Sequence, residues 1–283
     1  MMLVNEAASL PAVVGGPCVD EVVITADFVA VLDAGGFDAE AAHLSPAQAR
    51  ARLGVAAEVI GGLAEDVDAH AAVSAVSERL ASTGGDAVLS MACFSVLRRE
   101  VWLVGSCQYW WQGRTIKARE RGVDVAIAAR KLAYEALRND GLGDAAHRAT
   151  RAVGPLIAAL TATTNTPNGG YGVARLTGTP VPEELVRVHP LMGTGKLVLA
   201  TDGYPHIAGD AEPQQAAAEA WLEELLSRDP DCVRELAGLT PVIWGPRETT
   251  GPGGSGLRGR GAPWCRGSFD SRAWVGVDLA EER

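Results

Sequence analysis

The sequence predicts an α+β fold, a four-layer αββα sandwich with two antiparallel sheets flanked by helices, and three observations lead there. Short β-branched and apolar runs come in clusters joined by tight turns. Pairs of Ala-rich amphipathic segments separate those clusters. The strand-rich stretch 87–113 breaks the regular strand–helix alternation that a doubly wound parallel sheet requires.

In order, 21–24 and 28–32 read as a hairpin separated by Thr25-Ala26-Asp27, and the second strand ends in Asp33-Ala34-Gly35-Gly36. Ser45-Pro46 opens a helix, with Ser as N-cap and Pro at the first helical position, and Ala-rich periodicity carries it to about residue 64. A second helix covers about 69–81 and stops near Gly84-Gly85. Strands follow at 87–96, 100–104 and 108–111, which together read as an antiparallel meander with tight turns. Trp110 and Trp111 are expected to pack on a sheet edge.

Helices are predicted at 121–138, ended by Asp140-Gly141, and at about 145–161. Residues 163–170 (TTNTPNGG) form a polar loop, and strands resume at 171–176, 185–189 and 197–200. A helix at about 213–227 and a shorter one near 231–236 precede the stretch 245–268, rich in Gly, Pro and Arg and read as a flexible loop. The last strand is 273–277. The chain is expected to be a single domain over 1–283.

Bulk properties narrow the function classes. The chain has 283 residues, 47% apolar and 21% charged, which suits a globular protein with a sizeable core. A net charge of −10 disfavours nucleic-acid partners, and the stretch 117–121 is interrupted by Glu120 and reads as a solvated face. No run of 18 apolar residues calls for a membrane span. The N-terminus has no basic region, and Asn5 and Glu6 interrupt its apolar character, so no signal peptide is expected. Five Cys, none spaced C-x-x-C, argue against a disulfide framework or a zinc site. A cytoplasmic location is the expectation.

Chemistry concentrates at strand ends. The run Leu197-Val-Leu-Ala-Thr-Asp202-Gly203 carries an apolar strand straight into a carboxylate and a glycine turn, and Asp33 stands in the same position after its own strand. An Asp there either caps the turn or serves a site. Asp270 lies before the last strand and Asp20 before the first. Carboxylates gathered in this way suit Mg²⁺ or Mn²⁺.

The ordered set Cys18-Val-Asp20, Val31-Leu-Asp33-Ala34, Leu103-Val-Gly105-Ser106, Leu199-Ala-Thr-Asp202-Gly203 and Phe269-Asp270-Ser-Arg resembles the PPM (protein phosphatase 2C-like) family. The resemblance covers about residues 15 to 278 and implies the αββα sandwich reached above. It implies that Asp33 bridges two metal ions, with Ala34 offering its backbone carbonyl, that Asp202 and Asp270 complete the first metal site, and that Asp20 matches the aspartate of the Asn-Glu-Asp motif. The sequence also departs from the pattern: the Glu of that motif aligns with Val19, the Gly after the bridging Asp is Ala34, and the Gly-Asp carboxylate is Ser106. Glu21 does not replace the missing Glu, because strand alternation turns it away from Asp20.

The same residues admit other readings. Cys18, behind Gly15-Gly16-Pro17, has the form of an N-terminal nucleophile freed by self-processing, or of a thiol beside the metals. Gly193-Thr-Gly-Lys196 resembles part of a phosphate loop but precedes a strand and reads as a β-turn. His206 follows Asp202 by four residues and is a candidate general acid. Arg50 or Arg52 is a candidate phosphate contact.

The expected function is a divergent metal-dependent hydrolase of a phosphomonoester, on a protein or a small molecule, with no nucleic-acid or membrane partner. Two alternatives stay open: a pseudophosphatase that serves as a binding or regulatory module, and an αββα hydrolase that uses Cys18.

Overall fold

The run Phe28-Val-Ala-Val-Leu-Asp33 is buried at every position. A strand buried on both faces must lie inside a sheet and between two layers. The computed structural model, which describes residues 2–11, 18–34, 46–83, 88–118, 121–142, 145–167, 173–204, 207, 213–229, 232, 236 and 271–280, puts it there.

In chain order the elements are β1 (Met2–Leu10), β2 (Asp20–Ile24), β3 (Phe28–Asp33), α1 (Pro46–Gly61), α2 (Ala69–Ala81), β4 (Ser90–Ser95), β5 (Glu100–Val104), β6 (Gln108–Trp111), β7 (Arg114–Lys117), α3 (Arg121–Asn139), α4 (Ala145–Ala162), β8 (Arg187–Pro190), β9 (Gly195–Ala200), α5 (Gln215–Arg228) and β10 (Arg272–Leu279). The first sheet has the order β2-β3-β4-β5-β8 and the second β1-β10-β9-β6-β7. Every pairing named is antiparallel.

Strand alternation sorts the side chains into layers. From β3, Phe28, Ala30 and Leu32 join Leu53, Ile60, Val73, Val76 and Leu80 beneath α1 and α2. Val29 and Val31 face the other way and meet Leu197, Leu199, Val275 and Val277 of the second sheet. On the outer face of that sheet Trp110, Val198 and Trp274 pack with Ala218 of α5. The layers therefore run helix, sheet, sheet, helix. Helices α3 and α4 pack on each other through Ala126, Val153 and Ile157, and through Tyr134, Ala145 and Ala149.

Three expectations need correction. The stretch 87–113 is not one meander, because β4 and β5 lie in the first sheet while β6 lies in the second. The chain changes sheet within Gly105-Ser106-Cys107. Gly105 makes this crossing at φ +82°, where an added Cβ would stand 2.4 Å from the Ser90 hydroxyl, so only glycine fits without strain. As a result β6 is interior, between β9 and β7, and Trp110 and Trp111 are buried inside the sheet and not on its edge. Residues 173–176 form no strand; Val173 and Leu176 make only isolated bridges, to Thr164 and Leu89.

Two strands were not anticipated. β7 is charged at both ends and pairs with β6 across Gln112-Gly113, both at positive φ, the geometry of a two-residue hairpin turn. β1 pairs with β10 with a bulge between Val4 and Glu6. Glu6, which breaks the apolar pattern, accepts a hydrogen bond from Trp274 Nε1 at 2.9 Å and pairs with buried Lys196 at 3.6 Å. The expected flexible loop at 245–268 lies outside the described residues, as does most of the expected short helix at 231–236. No helix among the described residues is long and apolar enough to cross a membrane.

Candidate functional site

Register in the first sheet decides where its carboxylates go. Asp20 stands opposite Asp33 across β2 and β3, and Asp33 stands opposite Ser90 across β3 and β4. Opposed residues in antiparallel strands share a face. Asp33 follows Val29 and Val31 in the alternation, so Asp20, Asp33 and Ser90 line the end of the space between the two sheets. Asp20 is 4% exposed and Asp33 3%. Like charges placed directly opposite lower the stability of a sheet unless positive charge is close. Glu21 stands opposite Leu32, whose side chain packs under the helices, so it faces away from this space.

From the second sheet, β9 ends at Ala200 and the chain turns at once. Thr201 is pinned on two sides: its N–H donates to the Ala273 carbonyl at 3.1 Å, and its Oγ1 accepts from the Ala273 N–H at 2.9 Å. Half-buried Asp202 follows, then Gly203, where a Cβ would meet the Ser271 carbonyl oxygen at 2.2 Å. Glycine at 203 is what lets the Asp202 turn lie directly against the start of β10.

Ser271 joins the two halves. Its Oγ accepts from the Val19 N–H at 3.1 Å, one residue before Asp20. The Val19 carbonyl accepts in turn from the Ala34 N–H at 2.9 Å, one residue after Asp33. Cys18 is half-buried and its thiol donates to the Asp20 carbonyl at 3.2 Å. Burial first, and then the Asp20 charge, push the Cys18 thiol up, opposing the ionisation that a thiol nucleophile needs.

The charges of all three aspartates act on one buried group. Cys107, fully buried at the sheet crossing, is held well above the ordinary thiol range, chiefly by burial and then by the charges of Asp33, Asp202 and Asp20, with buried Arg175 acting in the opposite sense. Asp20, Asp33 and Asp202 therefore converge on one end of the sandwich. They do not meet at a point: among the described residues no three His, Cys, Asp or Glu side chains stand where one metal ion would need them. These carboxylate oxygens are hard donors, the kind that Mg²⁺ and Mn²⁺ take.

Of the other expected residues, Asp270 and His206 lie outside the described residues. Ser106, where the family pattern has a carboxylate, shares a 3.1 Å hydrogen bond with Ser90 beside Asp33. Arg52 is buried and donates to the Thr177 carbonyl at 2.9 Å, a structural use of its guanidinium. Arg50 is exposed and near enough to Cys18 to favour its thiolate slightly. Gly193 and Gly195, at φ +84° and +141°, form the turn into β9, as expected of the Gly-Thr-Gly-Lys stretch.

One group was not found by reading the sequence. Glu219 of α5 accepts from the Tyr204 hydroxyl at 2.5 Å and from Arg272 through both Nε and Nη2 at 3.0 Å. Tyr204 is buried edge-on against Trp274, with ring centroids 5.3 Å apart. Burial, with the Glu219 bond second, raises its phenol far above its ordinary range and keeps it a donor. The buried Gln108 side chain donates to the Thr201 carbonyl at 3.3 Å and also to that of Tyr204.

No family model matches the chain, and no curated protein matches it. Solved structures resemble it over nearly its whole length. The catalytic domain of the serine/threonine protein phosphatase PstP in complex with two manganese ions is 15% identical, with a TM-score of 0.45, covering 99% of this chain and 100% of that one. RsbX in complex with magnesium is 10% identical, with a TM-score of 0.45 and coverage of 99% and 100%. The PPM Ser-Thr phosphatase MsPP from Mycobacterium smegmatis, in complex with cacodylate, is 16% identical, with a TM-score of 0.45 and coverage of 99% and 98%.

Proposed function

We propose that this chain is a divergent, metal-dependent, phosphatase-like hydrolase of a phosphomonoester, carried by a protein or a small molecule. One observation carries the reading: Asp20 and Asp33, buried and directly opposed, together with Asp202 from the other sheet, gather at one end of the sandwich. Three carboxylates brought from both sheets to one end of the sandwich are the hard oxygen donors that a divalent cation takes. Asp33 and Asp202, with Asp270 and the Ala34 carbonyl, would hold one Mg²⁺ or Mn²⁺. Bound there, the ion supplies Lewis acidity toward phosphoryl oxygens and an activated water.

The protein's own groups do the rest. Thr201 and Gly203 hold the Asp202 turn against β10, and Asp20 and Asp33 keep their spacing through the β2–β3 ladder. His206 is the proposed proton donor to the leaving oxygen. Cys18, Cys93 and Cys107 are free thiols.

A second reading, a binding module without turnover, is favoured by the Ser90–Ser106 hydrogen bond, which occupies the place of a missing carboxylate. Calorimetric titration with Mn²⁺ decides first. Wild type is expected to bind one ion and Asp202→Ala none; absence of binding to wild type sinks the hydrolase. p-Nitrophenyl phosphate turnover by the Mn²⁺-loaded protein then separates hydrolase from module. A wild type that binds the ion but does not turn over, even with Val19→Glu, is the module.

A further inference from the structure

We infer that Glu219 is a positioning residue that sets the spacing of the acidic site from outside it, by clamping the segments that carry the site on the second sheet. Its carboxylate accepts from Tyr204 with one oxygen and grips Arg272 with both. Tyr204 is two residues after Asp202, and Arg272 is one residue after Ser271. Between them Gly203 lies against the Ser271 carbonyl, so the two segments move together or not at all.

The clamp also reaches the first sheet. Ser271 Oγ receives the Val19 N–H, and Val19 is bonded to Ala34 beside Asp33. One carboxylate on α5 thus governs two routes. Through Tyr204 it acts on Asp202, and through Arg272 and Ser271 it acts on the strand ends bearing Asp20 and Asp33. A bidentate Arg–carboxylate pair resists rotation better than a single contact does, because its two parallel bonds fix the guanidinium plane. This pair is largely shielded, with side chains 14% and 22% exposed.

The metal side of this inference rests on the function proposed above; the geometric side does not. The test therefore has two arms. In the first, the full chain is labelled with iodoacetamide and the rate is read at each cysteine peptide by mass spectrometry. Cys18, half-buried beside Ser271, reports on the clamped junction, while buried Cys93, packed beneath the first-sheet helices, reports on the core. Glu219→Ala is expected to label Cys18 about tenfold faster with the Cys93 rate unchanged, as for local opening. Glu219→Gln, which keeps an acceptor for Tyr204 but loses the ion pair, falls between. No change at Cys18, or an equal rise at both thiols, overturns the inference.

In the second arm, Mn²⁺ affinity of Glu219→Ala is expected to drop by about 10- to 100-fold, as for residues that orient metal ligands from behind. Unchanged affinity, where wild type binds, overturns it as well. If wild type binds no Mn²⁺, the proposed function falls, and the labelling arm alone decides the role of Glu219.

Discussion

The two sheets bring their acidic groups to the same end of the sandwich by different means. In the first sheet Asp20 and Asp33 belong to strands, and ladder register sets their separation. In the second sheet Asp202 stands beyond the last ladder residue of β9, and apart from the Thr201 N–H bond to Ala273 it is side chains that hold the turn: Thr201, Tyr204, Gln108 and, from α5, Glu219. A ladder shifts only by whole residues, which turns every side chain to the other face. A turn held by side chains adjusts continuously. The first-sheet half is therefore a fixed platform, and the second-sheet half is the adjustable jaw.

The comparison is broken most severely at Gly203. A Cβ there meets the Ser271 carbonyl oxygen at 2.2 Å, a backbone atom that cannot rotate aside, and Arg272 Cγ at 2.7 Å. Gly203→Ala should cost about 3 kcal/mol in urea unfolding, at the high end of overpacking. It should spread the jaw while leaving the β2–β3 register intact, which amide exchange of β3 would show.

A smaller effect is expected where the halves join. Ser271→Ala removes the acceptor of the Val19 N–H. An unsatisfied N–H costs about 1–2 kcal/mol. Chemical denaturation should report that loss, with Asp20 less firmly held than Asp33. If Ser271→Ala and Gly203→Ala cost the same, the contrast between platform and jaw is wrong.

The smallest effect tests the platform from behind. Asp68 caps α2, which covers the first sheet, and accepts from the Ala71 N–H at 2.8 Å. That bond holds its carboxyl below the ordinary range. A carboxyl lowered on folding stabilises above its unfolded pKa, and the benefit disappears as pH falls through the folded value. Asp68→Ala should cost about 0.5–1 kcal/mol at neutral pH, as for an exposed cap. The gap between wild type and variant should close below about pH 4, the ordinary Asp range, in a pH series of thermal melts.

Local signals made much of this legible beforehand. Helix α2 and strands β5 and β6 have the bounds that periodicity and flanking turns predict. The aspartates at 20, 33 and 202 were visible because each interrupts an apolar strand at its end. What escaped depends on distant partners. β1 carries Glu6 in mid-strand, which makes sense only beside Lys196 and Trp274. The sheet change at 105–107 has the same Gly-rich look as a hairpin turn, and only the β6–β9 pairing tells them apart. β7 left one trace, the Gln112-Gly113 pair, and its charged ends carry no apolar strand pattern. Glu219 and Arg272 lie 53 residues apart and belong to no motif.

The placement of β10 has a consequence for how the protein is made. This strand lies between β1 and β9, pairing Leu279 with Met2. On the ribosome, every other strand among the described residues emerges before it. Until it is synthesised, β1 has no neighbour in its sheet and β9 presents an unpaired edge of Leu197, Val198 and Leu199. The first sheet, complete once β8 has appeared, can assemble during translation, whereas the second must wait. Exposed apolar edges of that kind are what chaperones cover and what aggregates. The acidic site, shared by the early sheet and the late one, comes into being only after β10 has been made.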